Sequence, residues 1–260
     1  MADTDAGIRQ LADRVRDAAA RGARLRIRGG GSKDFYGTRL DGELLDTSEL
    51  RGIVDYEPTE LVITARCGTP LAEVEAALHA RGQMLAFEPP HFGAATLGGC
   101  IAAGLAGPRR ASAGSVRDFV LGVRMLNGKA EDLQFGGRVM KNVAGYDVSR
   151  LMAGSMGTLG IILEASVKVL PRPMAEATLH LHMDQAAALQ SFNVWAGRPL
   201  PVSATAWHDG DLAVRLSGAR AAVDAAVRRI GGEPAPPERA DQFWAGIREH
   251  TDPFFSGDEP

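Results

Sequence analysis

Three consecutive glycines near the start of the chain could bind a phosphate group. Gly29-Gly30-Gly31 is followed by Ser32 and preceded by a short alternating segment that predicts a strand. A loop of this kind can turn successive backbone N–H groups toward one point, which stabilises a phosphate without a cationic side chain. A flexible turn is the alternative. The spacing matches neither Gly-x-Gly-x-x-Gly nor a P-loop, because Lys33 comes directly after Ser32.

Two further segments contain the same residue types. Thr96-Leu97-Gly98-Gly99 and Gly114-Ser115-Val116-Arg117-Asp118 each place a hydroxyl near glycine. The hydroxyls of Thr96 and Ser115 could donate to phosphate oxygens, and Asp118 could accept from a hydroxyl or amine of a nucleotide. Ser115 and Asp118 also fit simple helix capping, which needs no ligand. Together with the first loop, the segments predict three loops that converge on one long ligand.

Five segments taken together resemble a known family. They are, in chain order, Arg28 to Ser32, Ala95 to Gly99, Gly114 to Asp118, Val139 to Asp147 and Gly154 to Ile162. Their order and spacing are similar to those of the FAD-binding domain of the vanillyl-alcohol-oxidase and para-cresol-methylhydroxylase (PCMH) type. More closely, the chain resembles the family of FAD-binding E subunits of bacterial glycolate oxidases. The resemblance covers about residues 5 to 170.

The resemblance implies FAD as the cofactor. The first loop would wrap the FAD diphosphate, the second and third would complete the cradle, and the last segment would meet FAD through backbone atoms. The implied cofactor-binding residues are Arg28, Gly29, Gly30, Gly31, Ser32, Thr96, Leu97, Gly98, Gly99, Gly114, Ser115, Asp118, Gly157, Thr158, Leu159, Gly160, Ile161 and Ile162. Some relatives bond a histidine beside the first loop to the flavin. No histidine stands there in this chain, so we expect non-covalent FAD.

The resemblance also implies a complex that oxidises a small 2-hydroxy acid. Glycolate would become glyoxylate, and electrons would pass to an iron–sulfur subunit and then to a membrane acceptor. Substrate-oxidising relatives carry a His-x-Gly-Asp-Gly-Asn stretch in a cap. The nearest string here, His208-Asp209-Gly210-Asp211, is better interpreted as a hairpin turn. With no catalytic residue assigned, we expect a FAD-bearing subunit whose sister FAD-linked subunit performs the chemistry. The alternatives are a self-sufficient 2-hydroxy acid dehydrogenase and, more remotely, an NAD(P)H-using flavin reductase on the same fold.

Other reactive side chains have simpler interpretations. His91 could face the flavin, but an exposed loop or a local hydrogen bond is the more common environment. Tyr146 and Asp147 begin a predicted helix, where the aspartate would stabilise the positive end, and a cofactor contact is the alternative. Cys100 fits a small buried residue. Arg109 and Arg110 could receive a carboxylate, although a solvated loop is the default.

The elements around these segments predict an α+β fold. An amphipathic helix over residues 8–19 precedes the first strand. Thr69 is predicted to cap a helix that ends near residue 80, and Asn127-Gly128 to form a type I′ turn between two strands. An apolar strand at 161–170 ends before Pro171, which marks a boundary. We predict a FAD-binding domain over residues 1–170, with subdomains of about 1–65 and 66–170.

Residues 174–260 predict a small cap-like region. A strand, a helix, two strands around Asp209-Gly210 and a second helix form a βαββα unit. The tail from Gly231 predicts irregular chain apart from a short helix at about 243–247. Because the chain stops soon after this unit, we expect an incomplete cap.

The net charge and the cysteine count exclude some classes of function. The 260 residues carry a net charge of −3, which excludes a strongly basic nucleic-acid surface. An iron–sulfur cluster needs about four ligands, mostly cysteines, and this chain has two, so a cluster would lie on a partner. No metal site is predicted. The N-terminal segment lacks the apolar core of a signal peptide. We expect a cytoplasmic protein whose membrane contact is peripheral, at the inner face of the cytoplasmic membrane, or made through partners.

Overall fold

A computed structural model describes residues 2–37, 41–138 and 146–256. Most of the predicted segment Val139 to Asp147 therefore lies outside the described residues. The chain divides into two compact units. Unit 1 consists of Met1–Leu105 and Ser115–Pro171, and unit 2 consists of Ala106–Gly114 and Arg172–Pro260. The short segment Ala106–Gly114 therefore belongs to unit 2, although the sequence prediction placed it inside a continuous domain over residues 1–170.

The described part of the chain alternates helices and strands. The helices are α1 (Ala2–Arg21), α2 (Leu71–His79), α3 (Leu97–Ala103), α4 (Arg110–Ala113), α5 (Val116–Phe119), α6 (Val148–Leu151), α7 (Gln185–Ala196), α8 (Arg220–Ile230) and α9 (Pro237–Glu249). The strands are β1 (Leu25–Arg28), β2 (Glu43–Asp46), β3 (Ile53–Glu57), β4 (Val62–Arg66), β5 (Gln83–Met84), β6 (Val120–Leu126), β7 (Asp132–Gly136), β8 (Ile161–Lys168), β9 (Leu170–Pro171), β10 (Ala175–His182), β11 (Val202–His208), β12 (Asp211–Gly218) and β13 (Glu233–Pro234).

Unit 1 is built on an antiparallel sheet of order β3-β4-β8-β6-β7. The inner strands β4 and β8 are buried on both faces, which explains their nearly continuous apolar sequence. A separate parallel pair joins β1 to β2, and β5 pairs antiparallel with β9. Since β1 leads directly into the Gly29–Gly31 loop, the parallel pair fixes where that loop begins.

Unit 2 is an antiparallel sheet of order β11-β12-β10-β13 with helices on both faces. Alternation along β12 directs Leu212, Val214 and Leu216 into a core with α7 and α8. The opposite face packs Ala213 against Trp244 of α9. The predicted α+β class and the βαββα order are confirmed. The tail prediction was wrong in extent, because α9 is a helix of 13 residues.

Two local predictions were also wrong. Thr69 does not cap α2, which begins at Leu71 after Pro70; the Thr69 hydroxyl instead accepts from the Gly52 N–H at 2.9 Å. Asn127-Gly128 is not a two-residue type I′ turn. The Asn127 side-chain oxygen accepts from the N–H groups of Lys129 (2.9 Å) and Glu131 (3.0 Å), which stabilises a longer loop. In that loop the positive φ falls on Ala130, at 58°.

Candidate functional site

Unit 1 contains a cavity of about 560 Å³. Its lining consists of residues 25–34, 36, 37 and 41, of Thr47 and Cys67, of Thr96, Gly98, Gly99, Ala102 and Ala103, and of Met156, Gly157, Thr158, Gly160 and Ile162. Three of the predicted segments therefore meet around one space. Its volume lies within the range of about 300–1,000 Å³ that is usual for small-molecule and cofactor sites.

The predicted cofactor residues divide into two groups. Those that line the cavity are Arg28, Gly29, Gly30, Gly31, Ser32, Thr96, Gly98, Gly99, Gly157, Thr158, Gly160 and Ile162. Those outside the described lining are Leu97, Gly114, Ser115, Asp118, Leu159 and Ile161. Leu97 and Ile161 are core residues, and Leu159 is exposed. Gly114 belongs to unit 2.

The first loop needs glycine because it packs directly on the second. A Cβ added at Gly29 would meet the Thr96 Oγ1, and one added at Gly30 would overlap the Ala94 carbonyl oxygen. Gly31 has a φ of +73°, which residues with a side chain rarely adopt. The glycines therefore keep the loop backbone bare on the cavity wall.

Thr96 links the loop–loop contact to the cavity. It is the N-cap of α3, where its Oγ1 accepts from the Gly99 N–H at 3.3 Å. The residue is buried but lines the cavity. Because the Oγ1 accepts this bond, the hydroxyl hydrogen of Thr96 can still be donated. The prediction that Thr96 donates to a phosphate oxygen requires this free hydrogen.

The third predicted loop forms a helix cap. The Ser115 N–H and hydroxyl donate to the Asp118 Oδ2 at 2.7 and 3.0 Å, at the start of α5. These hydrogen bonds, the backbone one first, lower the pKa of Asp118. The structure therefore supports the capping interpretation of both residues, and it does not bring them to the described cavity wall.

The last segment is attached to the C-terminal end of α3. The N–H groups of Gly154 and Met156 donate to the carbonyls of Ile101 (3.0 Å) and Ala102 (2.9 Å). Gly157 has a φ of +73°, and a Cβ there would contact the Ile27 side chain. The backbone of this segment thus packs close to the Ile27 side chain of β1.

Among the described residues, three cations line the cavity, and the sequence prediction included only Arg28. Arg28 donates from Nε to the Asp34 Oδ2 at 2.8 Å. Lys33 donates to the Ser32 Oγ (3.2 Å) and the His91 carbonyl (3.3 Å). Arg26 also lines the cavity. Lys33 directly follows Ser32 and Arg26 lies two residues before Arg28, so both could have been suspected from the sequence. Met156 also lines the cavity and lies in the last predicted segment, although it was not among the predicted cofactor residues.

The remaining candidates have structural roles. The His91 Nε2 pairs with Glu75 at 2.9 Å, and His91 is not among the described lining residues. Burial raises the pKa of the Cys67 and Cys100 thiols to about 12, so both are unreactive near neutral pH. Arg109 is buried and pairs with Glu176 within unit 2.

Two further predictions are confirmed by local geometry. Asp147 caps α6 by accepting from the Arg150 N–H at 3.1 Å. His208 lies opposite Asp211 across β11 and β12, and the intervening Asp209 and Gly210 both have positive φ. This is the predicted hairpin turn.

The described residues form neither a cluster of metal ligands nor a helix that could span a membrane. Within the described ranges, no group of three or more metal-ligating side chains comes together. None of the helices in the same ranges combines the length and apolar character that a membrane span requires.

Comparison with known proteins gives a family match and a fold match. Residues 6–148 match the family model described as FAD binding domain. The chain is 51% identical over 247 residues to glycolate oxidase subunit GlcE of Escherichia coli K12, covering 95% of this chain and 69% of that protein. It is 31% identical over 165 residues to glycolate oxidase subunit GlcD of Bacillus subtilis 168, covering 62% of this chain and 35% of that protein.

A solved structure of an alkyldihydroxyacetonephosphate synthase has the same fold. Its TM-score is 0.71 at 18% identity, and the match covers 94% of this chain and 54% of the synthase. At this identity the match shows the fold alone. The chain therefore spans about half the length of the synthase, about a third of the GlcD relative and just over two thirds of the GlcE relative.

Proposed function

Because this chain belongs to the FAD binding domain family, in which it is similar to a GlcE subunit, we propose that it is the FAD-carrying subunit of a complex that oxidises glycolate or a related 2-hydroxy acid. The observation that carries the proposal is the cavity where the first loop, the start of α3 and the Gly157–Gly160 segment meet. Bound FAD supplies two-electron redox chemistry, and the protein supplies its position and electrostatic surroundings.

The residues on the cavity wall suit the FAD diphosphate. Backbone N–H groups of Gly29–Gly31 and the Thr96 hydroxyl are donors for phosphate oxygens. Gly157 and Gly160 also line the cavity and add no side chain to it. The donor set and the cavity volume both fit the cofactor.

Non-covalent binding is supported by the described lining, which contains no histidine. Cys67 lines the cavity, but burial keeps its thiol protonated at neutral pH. Neither residue type is therefore placed to form a flavin bond.

The onward path for electrons requires another chain. This chain has two cysteines, both buried, which cannot ligate a cluster that needs about four ligands. We therefore assign the iron–sulfur centre to a separate subunit and substrate oxidation to a sister FAD-linked subunit. Membrane contact would be peripheral or made through these partners.

The test is to purify the chain, record its absorption spectrum and identify the released cofactor. We expect a flavin spectrum, either as purified or after reconstitution with FAD, and release of intact FAD by acid or heat. Flavin that stays with the denatured polypeptide would contradict non-covalent binding. Tighter binding of FMN, which lacks the diphosphate, would contradict the assigned site.

A further inference from the structure

Arg26 stands out among the cations of the cavity. It lies on β1, two residues before Arg28, and lines the cavity. Its Nε is inaccessible to solvent and has no hydrogen-bond partner in the structure. No ion pair joins Arg26 to another side chain in the described part of the protein. Of the carboxylates on the described wall, Asp34 pairs with Arg28, and neither Asp34 nor Asp41 forms an ion pair with Arg26.

The other two cations among the described lining residues, Arg28 and Lys33, have polar partners. Arg28 pairs with Asp34, and the Lys33 Nζ contacts the Ser32 hydroxyl and the His91 carbonyl. Arg26 thus differs from Arg28, which has the same side chain and lies on the same strand.

The cost of the unpaired, buried Nε donor cannot be avoided by deprotonation of the arginine. Its pKa is too high for deprotonation in a protein, and a buried donor of a charged group is costly when unpaired. An anion in the cavity would remove the cost. A guanidinium can donate two parallel hydrogen bonds to one phosphate, so a phosphate group suits it particularly well.

We infer that Arg26 binds the FAD diphosphate, as the side-chain cation that complements the backbone donors of Gly29–Gly31. This inference rests on the proposed function. The position supports the diphosphate over other anions, because β1 runs directly from Arg26 into the loop that is assigned to the diphosphate. Arg26 would then contribute to the preference for FAD over flavins without a diphosphate.

The experiment measures dissociation constants of FAD, FMN and riboflavin for the wild type, Arg26→Met, Arg26→Lys and Arg24→Met. Arg24 is the matched control, because it is an exposed arginine directly before β1 and is not among the described lining residues. Loss of a charge-assisted interaction predicts FAD binding about 10- to 100-fold weaker in Arg26→Met. Riboflavin binding should change less than twofold, and Arg24→Met should bind all three like the wild type.

A salt series adds a second readout. The decrease of FAD affinity with ionic strength should be smaller in Arg26→Met than in the wild type, and Arg26→Lys should restore it because the charge is kept. If Arg26→Met does not fold, Arg26→Gln replaces it as the neutral variant, with the same expected loss of FAD affinity and the same smaller salt dependence, while Arg26→Lys should keep the salt dependence of the wild type.

Three results would overturn the inference. These are FAD affinity within about twofold of the wild type in Arg26→Met, equal weakening of FAD and riboflavin, and the same weakening in Arg24→Met. Failure of the wild type to bind FAD would instead refute the proposed function, so the two failures are distinguishable.

Discussion

Gly30 shows why a glycine-rich loop is conformationally necessary even before a ligand binds. A Cβ at this position would overlap the Ala94 carbonyl oxygen, so the first loop could not keep its position on the second. The sequence predicted a need for bare backbone near a phosphate. It could not predict the contact with Ala94, because that contact depends on the tertiary position of a segment more than 60 residues later.

The first prediction is that Gly30→Ala weakens FAD binding by about two orders of magnitude. One methyl group is enough to displace the loop, and two hydrogen bonds to a charged group contribute about 3–6 kcal/mol together, part of which would be lost. The measurement is a titration of FAD against the folded variant. Gly128→Ala is the control, because nothing lies within 4 Å of a Cβ there. Affinity within threefold of the wild type would remove this loop from the cofactor site.

At the residue scale, residue type and spacing predicted some of the cavity residues correctly and others wrongly. The glycines of the first loop, Thr96 and Gly157 were identified from residue type and spacing, and all line the cavity. Ser115 and Asp118 could equally bind a phosphate or a hydroxyl group, but in the structure they hydrogen-bond to each other in a helix cap. Composition cannot distinguish these uses, because both need a hydroxyl or carboxylate beside backbone N–H groups.

At the scale of elements, the α5 cap gives a pH-dependent prediction. Asp118 has a lowered pKa in the folded state, so its contribution to stability is present above the pKa of an unfolded aspartate, about 3.9. That contribution is lost as the pH falls through the lower native pKa. Asp118→Ala should therefore reduce the free energy of unfolding by about 1 kcal/mol at pH 7. The difference from the wild type should shrink below about pH 4.

Urea denaturation at a series of pH values measures this difference. Asp224→Ala in α8 is a suitable control, since that aspartate is exposed and makes no recorded hydrogen bond among the described residues. A difference that stays constant down to pH 3 would show that the Asp118 carboxylate does not stabilise the cap.

The helix α9 is the element that sequence analysis underestimated. Its polar sequence, Pro237–Glu249, gave only a short helical signal, since its apolar contacts are few and concentrated at Phe243, Trp244 and Ile247. Trp244 is buried, donates to the Thr178 Oγ1 at 2.9 Å and lies under the Arg215 guanidinium at 4.9 Å. Tertiary contacts of one aromatic residue thus hold a helix that local pattern alone does not specify.

The third prediction is that Trp244→Ala lowers the free energy of unfolding by about 3–5 kcal/mol, the usual cost of truncating a buried aromatic residue. Trp244→Phe keeps most of the ring and should lose about 1 kcal/mol, from the hydrogen bond to Thr178. FAD affinity of the folded variants should be unchanged, because every described lining residue belongs to unit 1. A loss below 1 kcal/mol in Trp244→Ala would mean that α9 is not part of the folded core of unit 2.

At the scale of the whole molecule, we propose that this chain holds FAD and that a sister subunit oxidises the substrate. The proposal depends on which catalytic groups line the cavity. Oxidation of a 2-hydroxy acid needs a base near the carbinol and a cation for the carboxylate. The described lining has cations and the carboxylates of Asp34 and Asp41, of which Asp34 pairs with Arg28, and it contains no histidine. His91, which precedes the second loop in the sequence, pairs with Glu75. Assignment of substrate oxidation to a sister subunit therefore remains a proposal, and reduction of the flavin by substrate tests it.

The last prediction is that the FAD-loaded chain alone is reduced negligibly by glycolate or D-lactate. The measurement is anaerobic mixing with excess substrate while flavin bleaching is followed, and dithionite is the control that proves the flavin reducible. Addition of a sister FAD-linked subunit and an iron–sulfur subunit should restore reduction by glycolate. Bleaching of the isolated chain at about 1–1,000 per second, the range of typical enzyme turnover, would instead make this chain a self-sufficient dehydrogenase. Rapid bleaching by NADPH would identify a flavin reductase, because the reductant would then act directly on the FAD of this chain.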